Sequence, residues 1–200
     1  MEVFDQLAEK YQGEHSHNPY QAALIERISK LLPAGTSVLD LGCGTGVPTA
    51  RALTDSDHRV VGVDIAEGML RLARDQVPAA EFVHADFAKL PDDFGKFEAV
   101  TAFFSLLMLS RADIERTLDK IAGWLKPGGY FGLGMVNFDA DSIPIEFMGV
   151  PVTVSGYLEP DLKAVLEAHG FTVVDIETVF FTPTDGPQES QIFALARIPE

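Results

Sequence analysis

Apolar positions along the chain change period several times, and each change marks an element. Asn18-Pro19 is a helix start, because Asn can cap and Pro is tolerated at the first helical position. Tyr20, Leu24, Ile28 and Leu31 then recur at helical spacing on one face, and Pro33-Ala34-Gly35 stops the helix. Ser37-Val38-Leu39-Asp40-Leu41 predicts a buried strand followed by a tight glycine turn. Ala50 to Leu53 suit a helix, and Arg59 to Asp64 read as a second strand ending in an acid. Met69, Leu70 and Ala73 mark another helix, and Glu81 to Ala85 a third strand. Phe97 to Phe104 is compatible with a fourth strand. Ile114, Leu118, Ile121 and Leu125 share a helical face, which Pro127-Gly128-Gly129 is expected to end before a fifth strand, Tyr130 to Val136. Asn137 to Leu158 shows no clear period. Leu162, Val165 and Leu166 follow Pro160 on a helix that Gly170 can terminate with a left-handed residue. Phe171 to Phe181 and Gln191 to Ile198 are the last strands, with Asp185-Gly186 in their connection.

Repeated strand–helix alternation implies a parallel sheet with helices on both faces. Two closing strands with no helix between them imply an antiparallel edge. The expected fold is α/β, a doubly wound, mostly parallel seven-stranded sheet with an antiparallel C-terminal hairpin strand. No Pro/Gly/Ser-rich linker divides two cores, so residues 1–200 read as a single domain.

Composition narrows the function. The 15 Lys and Arg against 30 Asp and Glu give a net charge of −15, with no basic run to offset it. Polyanion binding relies on neutralising cations, so nucleic acid and anionic membranes are poor partners; solubility is the simplest reading of the acidity. No segment stays apolar for the roughly 20 residues a spanning helix needs, and the first residues lack the basic-then-apolar order of a secretory signal. The single cysteine cannot form an internal disulfide, which fits a reducing compartment. A cytoplasmic location is expected.

In a doubly wound sheet, ligands bind at the carboxyl ends of strands, near the switch in strand order. At the first of these ends stands Asp40-Leu41-Gly42-Cys43-Gly44-Thr45-Gly46. Three glycines at alternate positions let backbone amides approach a ligand closely. Asp64, ending the second strand, can accept hydrogen bonds from both hydroxyls of a ribose. Asp86, just after the third, can take an amino hydrogen from an adenine ring, although it also suits an ordinary turn. A nicotinamide fingerprint would place its third glycine where Val47 stands, so the spacing disfavours a generic dinucleotide loop. Cys43, between two glycines, is most simply a small buried residue.

The segments Val38–Gly46, Val63-Asp64, Ala85-Asp86-Phe87 and Leu125-Lys126-Pro127-Gly128-Gly129, in this order, resemble the class I S-adenosylmethionine-dependent methyltransferases. The resemblance runs from about Phe4 to Ile198 and is strongest between Val38 and Val136. It implies a Rossmann-like methyltransferase fold and S-adenosyl-L-methionine as cofactor, released as S-adenosyl-L-homocysteine. By this likeness Gly42, Gly44 and Gly46, with Cys43 between them, line the methionine side, and Asp40 helps hold the turn and the amino group. Asp64 takes the ribose, with Ile65 and Met69 bordering it; Asp86 and Phe87 take the adenine. Phe103, with Phe104 and Ser105, sits beside the sulfonium and the substrate, or belongs in part to the sheet core. The N-terminal segment, residues 1–33, is expected to fold over the cofactor as a helical lid.

Methyl transfer to a hydroxyl or ammonium needs a base. His15 and His17, in a polar stretch before the first helix, are the catalytic candidates, with solvated loop residues as the alternative. His84 reads as structural, His58 as a surface residue before a strand, and His169 as a helix-end charge suited to the dipole. Asn137, Asp139 and Asp141 offer oxygen ligands for Mg²⁺ but are ordinary loop formers, and no metal is expected. The apolar residues between Asn137 and Leu158 suggest a substrate-side insertion; packing on the sheet edge or on a second subunit competes with this reading, and a homodimer stays open. The chain lacks the Asn/Asp-Pro-Pro-aromatic turn of nucleobase and protein-amide methyltransferases. A small-molecule acceptor remains, with oxygen preferred over nitrogen or carbon. Two alternatives stay open: a protein of this fold that binds the cofactor without methylating, as a cyclisation or rearrangement catalyst or a binding subunit, and a nicotinamide oxidoreductase.

Overall fold

The computed structural model describes residues 18–183 and 187–200. His15, His17, the greater part of the expected lid and Asp185-Gly186 lie outside the described residues. The first described helix, α1 (Pro19–Leu31), starts where the sequence places it. The Asn18 side-chain oxygen accepts from the backbone N–H of Tyr20 at 3.0 Å and of Gln21 at 3.2 Å. Its buried face differs from the expected one. Gln21, Leu24, Ile25 and Ile28 point inward, whereas Tyr20 and Leu31 are exposed. The true stripe is rotated because a polar residue, Gln21, occupies one of its positions.

Strand β1 (Ser37–Leu41) leads to α2 (Thr49–Asp55), β2 (Arg59–Asp64), α3 (Glu67–Gln76) and β3 (Glu81–His84). The chain then crosses to β4 (Phe97–Phe103), α4 (Arg111–Trp124) and β5 (Leu125–Val136). A hairpin, β6 (Ala140–Phe147) and β7 (Val150–Gly156), precedes α5 (Glu159–Ala168), β8 (Thr172–Phe181) and β9 (Glu189–Arg197). The main sheet has seven strands in the order β3-β2-β1-β4-β5-β9-β8. The first five run parallel, and β9 is antiparallel to both β5 and β8. The doubly wound sheet with an antiparallel terminal strand is therefore present as expected.

Alternation on β1 separates the two layers. Leu39 and Leu41 face α4 and α5, joining Val100, Ile114, Leu118, Ile121, Trp124, Leu162 and Leu166. Val38 faces the other way, with Leu24, Ile25, Ile28, Leu53 and Val60. Asp40 shares the parity of Val38, so its carboxyl lies on the α1–α2 side. Strand order turns between β1 and β4, which places the switch point above the carboxyl end of β1.

Three local expectations need correction. Helix α4 ends at Trp124, and Leu125 to Gly129 already belong to β5. The chain's end captures this stretch: Gly128 N–H donates to Pro199 O at 2.9 Å, and Ile198 N–H to Gly129 O at 3.1 Å. Residues 137–158 are mostly regular. Ile143, Ile145 and Phe147 pair with Val154, Val152 and Val150 across a Met148-Gly149 turn of positive φ. His58 is buried, not on the surface, and both ring nitrogens have partners, Ser29 Oγ and Thr36 Oγ1, each at 3.0 Å. It ties α1 to the start of β1.

Among the described residues, no helix is long and apolar enough to cross a membrane.

Candidate cofactor cleft

The turn after β1 is held from behind by β2 and β4. Gly42 and Cys43 N–H donate to Val63 O at 2.8 and 3.1 Å. Gly42 has a φ of 70°, and a Cβ there would overlap the Cβ of Ser105, whose hydroxyl donates to Leu41 O at 2.6 Å. The residue must be glycine on both counts, the left-handed backbone and the close approach. Gly44 N–H donates to Asp64 Oδ2 at 2.8 Å, and Ala66 N–H to Asp64 Oδ1 at 2.9 Å. Asp64 thus clamps the glycine turn to the start of α3.

These constraints leave a small cleft, open to solvent, above the carboxyl ends of β1 and β4. Asp40, Gly42, Cys43, Gly44 and Phe103 line it, as the sequence expects. Gln21 from α1, Thr45, Val47, Pro48, Thr49 and Phe104 complete the wall. Gln21 and Thr49 escaped the sequence reading, since nothing in a helix pattern singles out a buried amide. The structure joins them: Gln21 Nε2 donates to Thr49 Oγ1 at 3.2 Å. Phe104 leaves β4 with a φ of 55° and stacks edge-on against Phe193.

The remaining candidates lie outside the lining. Gly46 packs toward Val77 and Phe82 under the turn. Ile65 holds His84 through its carbonyl, 2.9 Å from Nε2. Met69 is 3% exposed and packs beside Ala66, so it is a core residue of α3. Asp86 caps the short turn that follows it, accepting from Ala88 N–H at 3.1 Å, and its other oxygen pairs with Lys89 at 2.8 Å. Phe87 packs against the α4–α5 side of the core. Asp139 and Asp141 turn to Arg111: Nη2 reaches Asp139 Oδ1 at 2.6 Å, and its backbone N–H reaches Asp141 Oδ1 at 3.0 Å.

Electrostatics set Asp40 apart. It is 2% exposed, accepts from Thr101 Oγ1 at 2.7 Å on Oδ1, and among the described residues has no partner on Oδ2. Burial, reinforced by the charge of Asp64, pushes its carboxyl up to about 7 against the pull of the Thr101 bond. Burial also pushes the Cys43 thiol up, with Asp40 and Asp64 adding to it, so Cys43 is a neutral thiol and no nucleophile.

The arrangement suits a ligand that joins an adenosyl group to an amino acid: backbone amides at a glycine turn, a clamped acid on the next strand, and a buried acid with an unused oxygen. Comparison with known proteins agrees. Residues 38–129 match the model of a methyltransferase domain. An uncharacterised methyltransferase of Synechocystis sp. is 33% identical over 70% of this chain and 68% of its own length. The 27-O-demethylrifamycin SV methyltransferase of Amycolatopsis mediterranei is 31% identical over 66% of this chain and 55% of its own. The chain spans 39 to 56% of the length of the first three curated relatives it matches. In structure, the 1,6-didemethyltoxoflavin-N1-methyltransferase of Burkholderia thailandensis, solved with S-adenosylhomocysteine, superposes at a TM-score of 0.75. The match covers 100% of this chain and 87% of that one at 21% identity, which speaks for the fold. With the turn, the clamp and the sheet order all in place, the chain belongs to the class I S-adenosylmethionine-dependent methyltransferase family.

Proposed function

We propose that this chain transfers a methyl group from S-adenosylmethionine to a small-molecule acceptor, with oxygen the preferred atom. The observation that carries the reading is the glycine turn clamped by Asp64 over a cleft whose buried acid, Asp40, has a free oxygen. When bound, the donor supplies an activated methyl group at a sulfonium. The protein's part is to align acceptor and donor, which can remove on the order of 7 kcal/mol from a barrier. Phe103 and Phe104 line the cleft, and their aromatic faces would favour the sulfonium cation there. In this proposal Asp86 and Phe87 would hold the adenine and Asp64 the ribose. The apolar face of the hairpin, Ile143 and Ile145 with Val152, is the proposed acceptor side.

The described cleft holds no basic side chain: Asp40 and Cys43 are its titratable residues. The proposed base is His15 or His17. Replacing both by Gln should leave homocysteine-adenosyl binding intact and lower transfer to a hydroxyl acceptor by ~10²-fold or more. The acidic surface supports a partner range without nucleic acid or membrane, and the single cysteine supports a cytoplasmic setting.

Calorimetry with S-adenosylhomocysteine tests the reading first. Tight binding to the wild type, weakened at least ~10-fold in Asp64→Ala through loss of a charge-assisted clamp, is the expected result. No heat with donor or product would overturn it. Incubation with labelled donor and fractionated metabolites then separates transfer from mere binding.

A further inference from the structure

We propose that Glu189 holds the acceptor by an ammonium group, so that the substrate is an amine-bearing small molecule methylated at another of its atoms. The inference rests on the methyl-transfer reading above and narrows its acceptor.

Strand β9 runs antiparallel to β5, so its first residues stand at the carboxyl end of β5, on the same rim of the sheet as the cleft. Phe193 and Leu195 face the α1–α2 side, and Gln191 and Glu189 share their parity. Between Phe193 and the cleft lies Gly134 of β5, where a Cβ would crowd Phe103, Phe193 and Phe104. Because the position is bare, the rings meet over it: Phe104 stands edge-on to Phe193 at 5.8 Å, and Tyr20 stacks on Phe193 at 6.3 Å. An aromatic wall therefore runs from the cleft lining to the start of β9. Gln191 puts an amide where the strand's alternation calls for an apolar residue, and it is 4% exposed. Its Oε1 accepts from Asn18 Nδ2 at 2.8 Å, and its Nε2 donates to Glu189 Oε2 at 2.9 Å. Asn18 is itself fixed by capping α1. Buried amides cost stability unless their polar atoms are paired, and here the pairing runs outward to one carboxylate. Glu189 is partly buried, and among the described residues its Oε1 has no partner and no cation pairs with it. One residue on, Ser190 Oγ accepts from Asn137 Nδ2 at 3.1 Å, while Asn137 Oδ1 is buried and lacks a partner among the described residues. The rim thus presents hydrogen-bond acceptors that the protein leaves unfilled.

A positioned carboxylate beside aromatic faces suits an ammonium: its N–H groups donate to the carboxylate, and ring quadrupoles favour its charge. The net charge of −15 draws cations toward the protein as a whole. An ammonium held in this way has no lone pair to attack a methyl group. The methyl therefore goes to another atom of the acceptor, in keeping with the oxygen preferred above. An amino alcohol or an aminoalkyl phenol meets both demands.

The test uses methyl-labelled S-adenosylmethionine and a metabolite extract split by ion exchange into cationic, neutral and anionic fractions. With the wild type, label should enter the cationic fraction, and mass spectrometry of the product should place the methyl group off the nitrogen. Glu189→Gln keeps the shape and the bond from Gln191 but not the charge. In this variant the amount of cationic fraction needed for half-maximal labelling should rise about tenfold, the order of one charge-assisted hydrogen bond. Its affinity for S-adenosylhomocysteine, read by calorimetry, should stay unchanged, because Glu189 does not line the cleft. Glu189→Asp, which keeps the charge on a shorter stem, should fall between the two. Label confined to the neutral or anionic fraction overturns the inference and leaves methyl transfer standing. Labelling of the cationic fraction that Glu189→Gln does not weaken, or a product methylated on its amine, does the same. If no fraction takes label while S-adenosylhomocysteine binds, the methyl-transfer reading itself fails, and this inference with it.

Discussion

The turn after β1 and the β6–β7 hairpin both leave the carboxyl end of a sheet strand and both pass through left-handed backbone. Gly42, Gly44 and Gly46 have positive φ in the first, and Ser142, Met148 and Gly149 in the second. Their surroundings differ. The glycine turn is confined at two of its three glycines, Gly42 by Ser105 and Gly46 by Val77 and Phe82, while Gly44 has nothing within 4 Å of a Cβ. The hairpin turn lies in the open, with nothing within 4 Å of a Cβ placed on Gly149. Where neighbours fix a position from several sides, chemistry writes itself into the sequence as a motif. Where they do not, a non-glycine such as Met148 can stand at positive φ, and the motif disappears.

The sharpest way to break this comparison is one methyl group in each region. Gly42→Ala combines the strain of left-handed Ala, ~1–2 kcal/mol, with overpacking of ~1–3 kcal/mol against Ser105. Its expected destabilisation is about 4 kcal/mol, with loss of the cleft. Gly149→Ala meets only the backbone strain, about 1 kcal/mol. Urea unfolding of both variants decides the matter; equal midpoints would mean that the glycine turn is not confined as described.

The same contrast explains what the sequence made legible. The N-cap at Asn18 and the glycine turn were readable because each rests on a backbone need that few residue types meet, and the parallel sheet with its antiparallel end followed from the strand–helix alternation; Asp64 read as a ribose acid, and its clamp on the turn was not readable. The hairpin did carry a signal, since Ile143, Ile145, Phe147, Val150, Val152 and Val154 alternate around Met148-Gly149. Pro144 and Pro151 obscure it, because proline inside a strand argues against that strand. The early start of β5 was not readable at Leu125, because its cause is pairing with Ile198 and Pro199, far along the chain. Nor were Gln21, Thr49, Thr101 and Ser105, which acquire their roles only through partners on other elements. Helical spacing misplaced Tyr20 and Leu31 for a related reason: apolar residues flank a stripe as readily as they form it.

A functional site also holds features that stability would not choose, and Asp40 sharpens the comparison there. Its carboxyl is raised from 3.8 to about 7 by folding. As pH rises, the unfolded chain therefore ionises first, and the unfolded state gains. The contribution of Asp40 to stability is fully present below about pH 4, declines through the window up to about pH 7, and is lost above it. Asp40→Asn should match the wild type near pH 4 and become more stable than it as pH climbs, by up to ~4 kcal/mol at pH 8 without ligand. Thermal unfolding across this range checks the sign. A variant that is less stable at every pH would show that Asp40 is a structural anchor.

The hairpin's own anchor is Arg111. Its guanidinium lies 4.4 Å over the Tyr157 ring, bonds Gly156 O and pairs with Asp139, while its backbone N–H holds Asp141. Arg111→Ala removes the side-chain ties at a cost of about 1–2 kcal/mol, the order of a charged hydrogen bond. The loss should be local. Amide exchange should accelerate across residues 140–156 while the amides of Gly42 and Gly44 keep their protection. Parallel acceleration in both places would mean that the two reversals form one cooperative unit.

The smallest effect is expected at the hairpin's outer face, and it separates packing from use. Ile143 and Ile145 are 39% and 38% exposed on an apolar ribbon whose base, Val154, is buried. Replacing both by Thr keeps β-branched strand residues and removes little buried area, so each should cost only ~0.5 kcal/mol. S-adenosylhomocysteine affinity should stay unchanged, because neither side chain lines the cleft. If this face receives the acceptor, methyl transfer should fall through a raised KM while stability and product binding hold. If it packs on a second copy of the chain, sedimentation will change and KM will not. A loss of stability above ~2 kcal/mol would place the ribbon inside the core and erase the contrast between an enclosed turn and an open one.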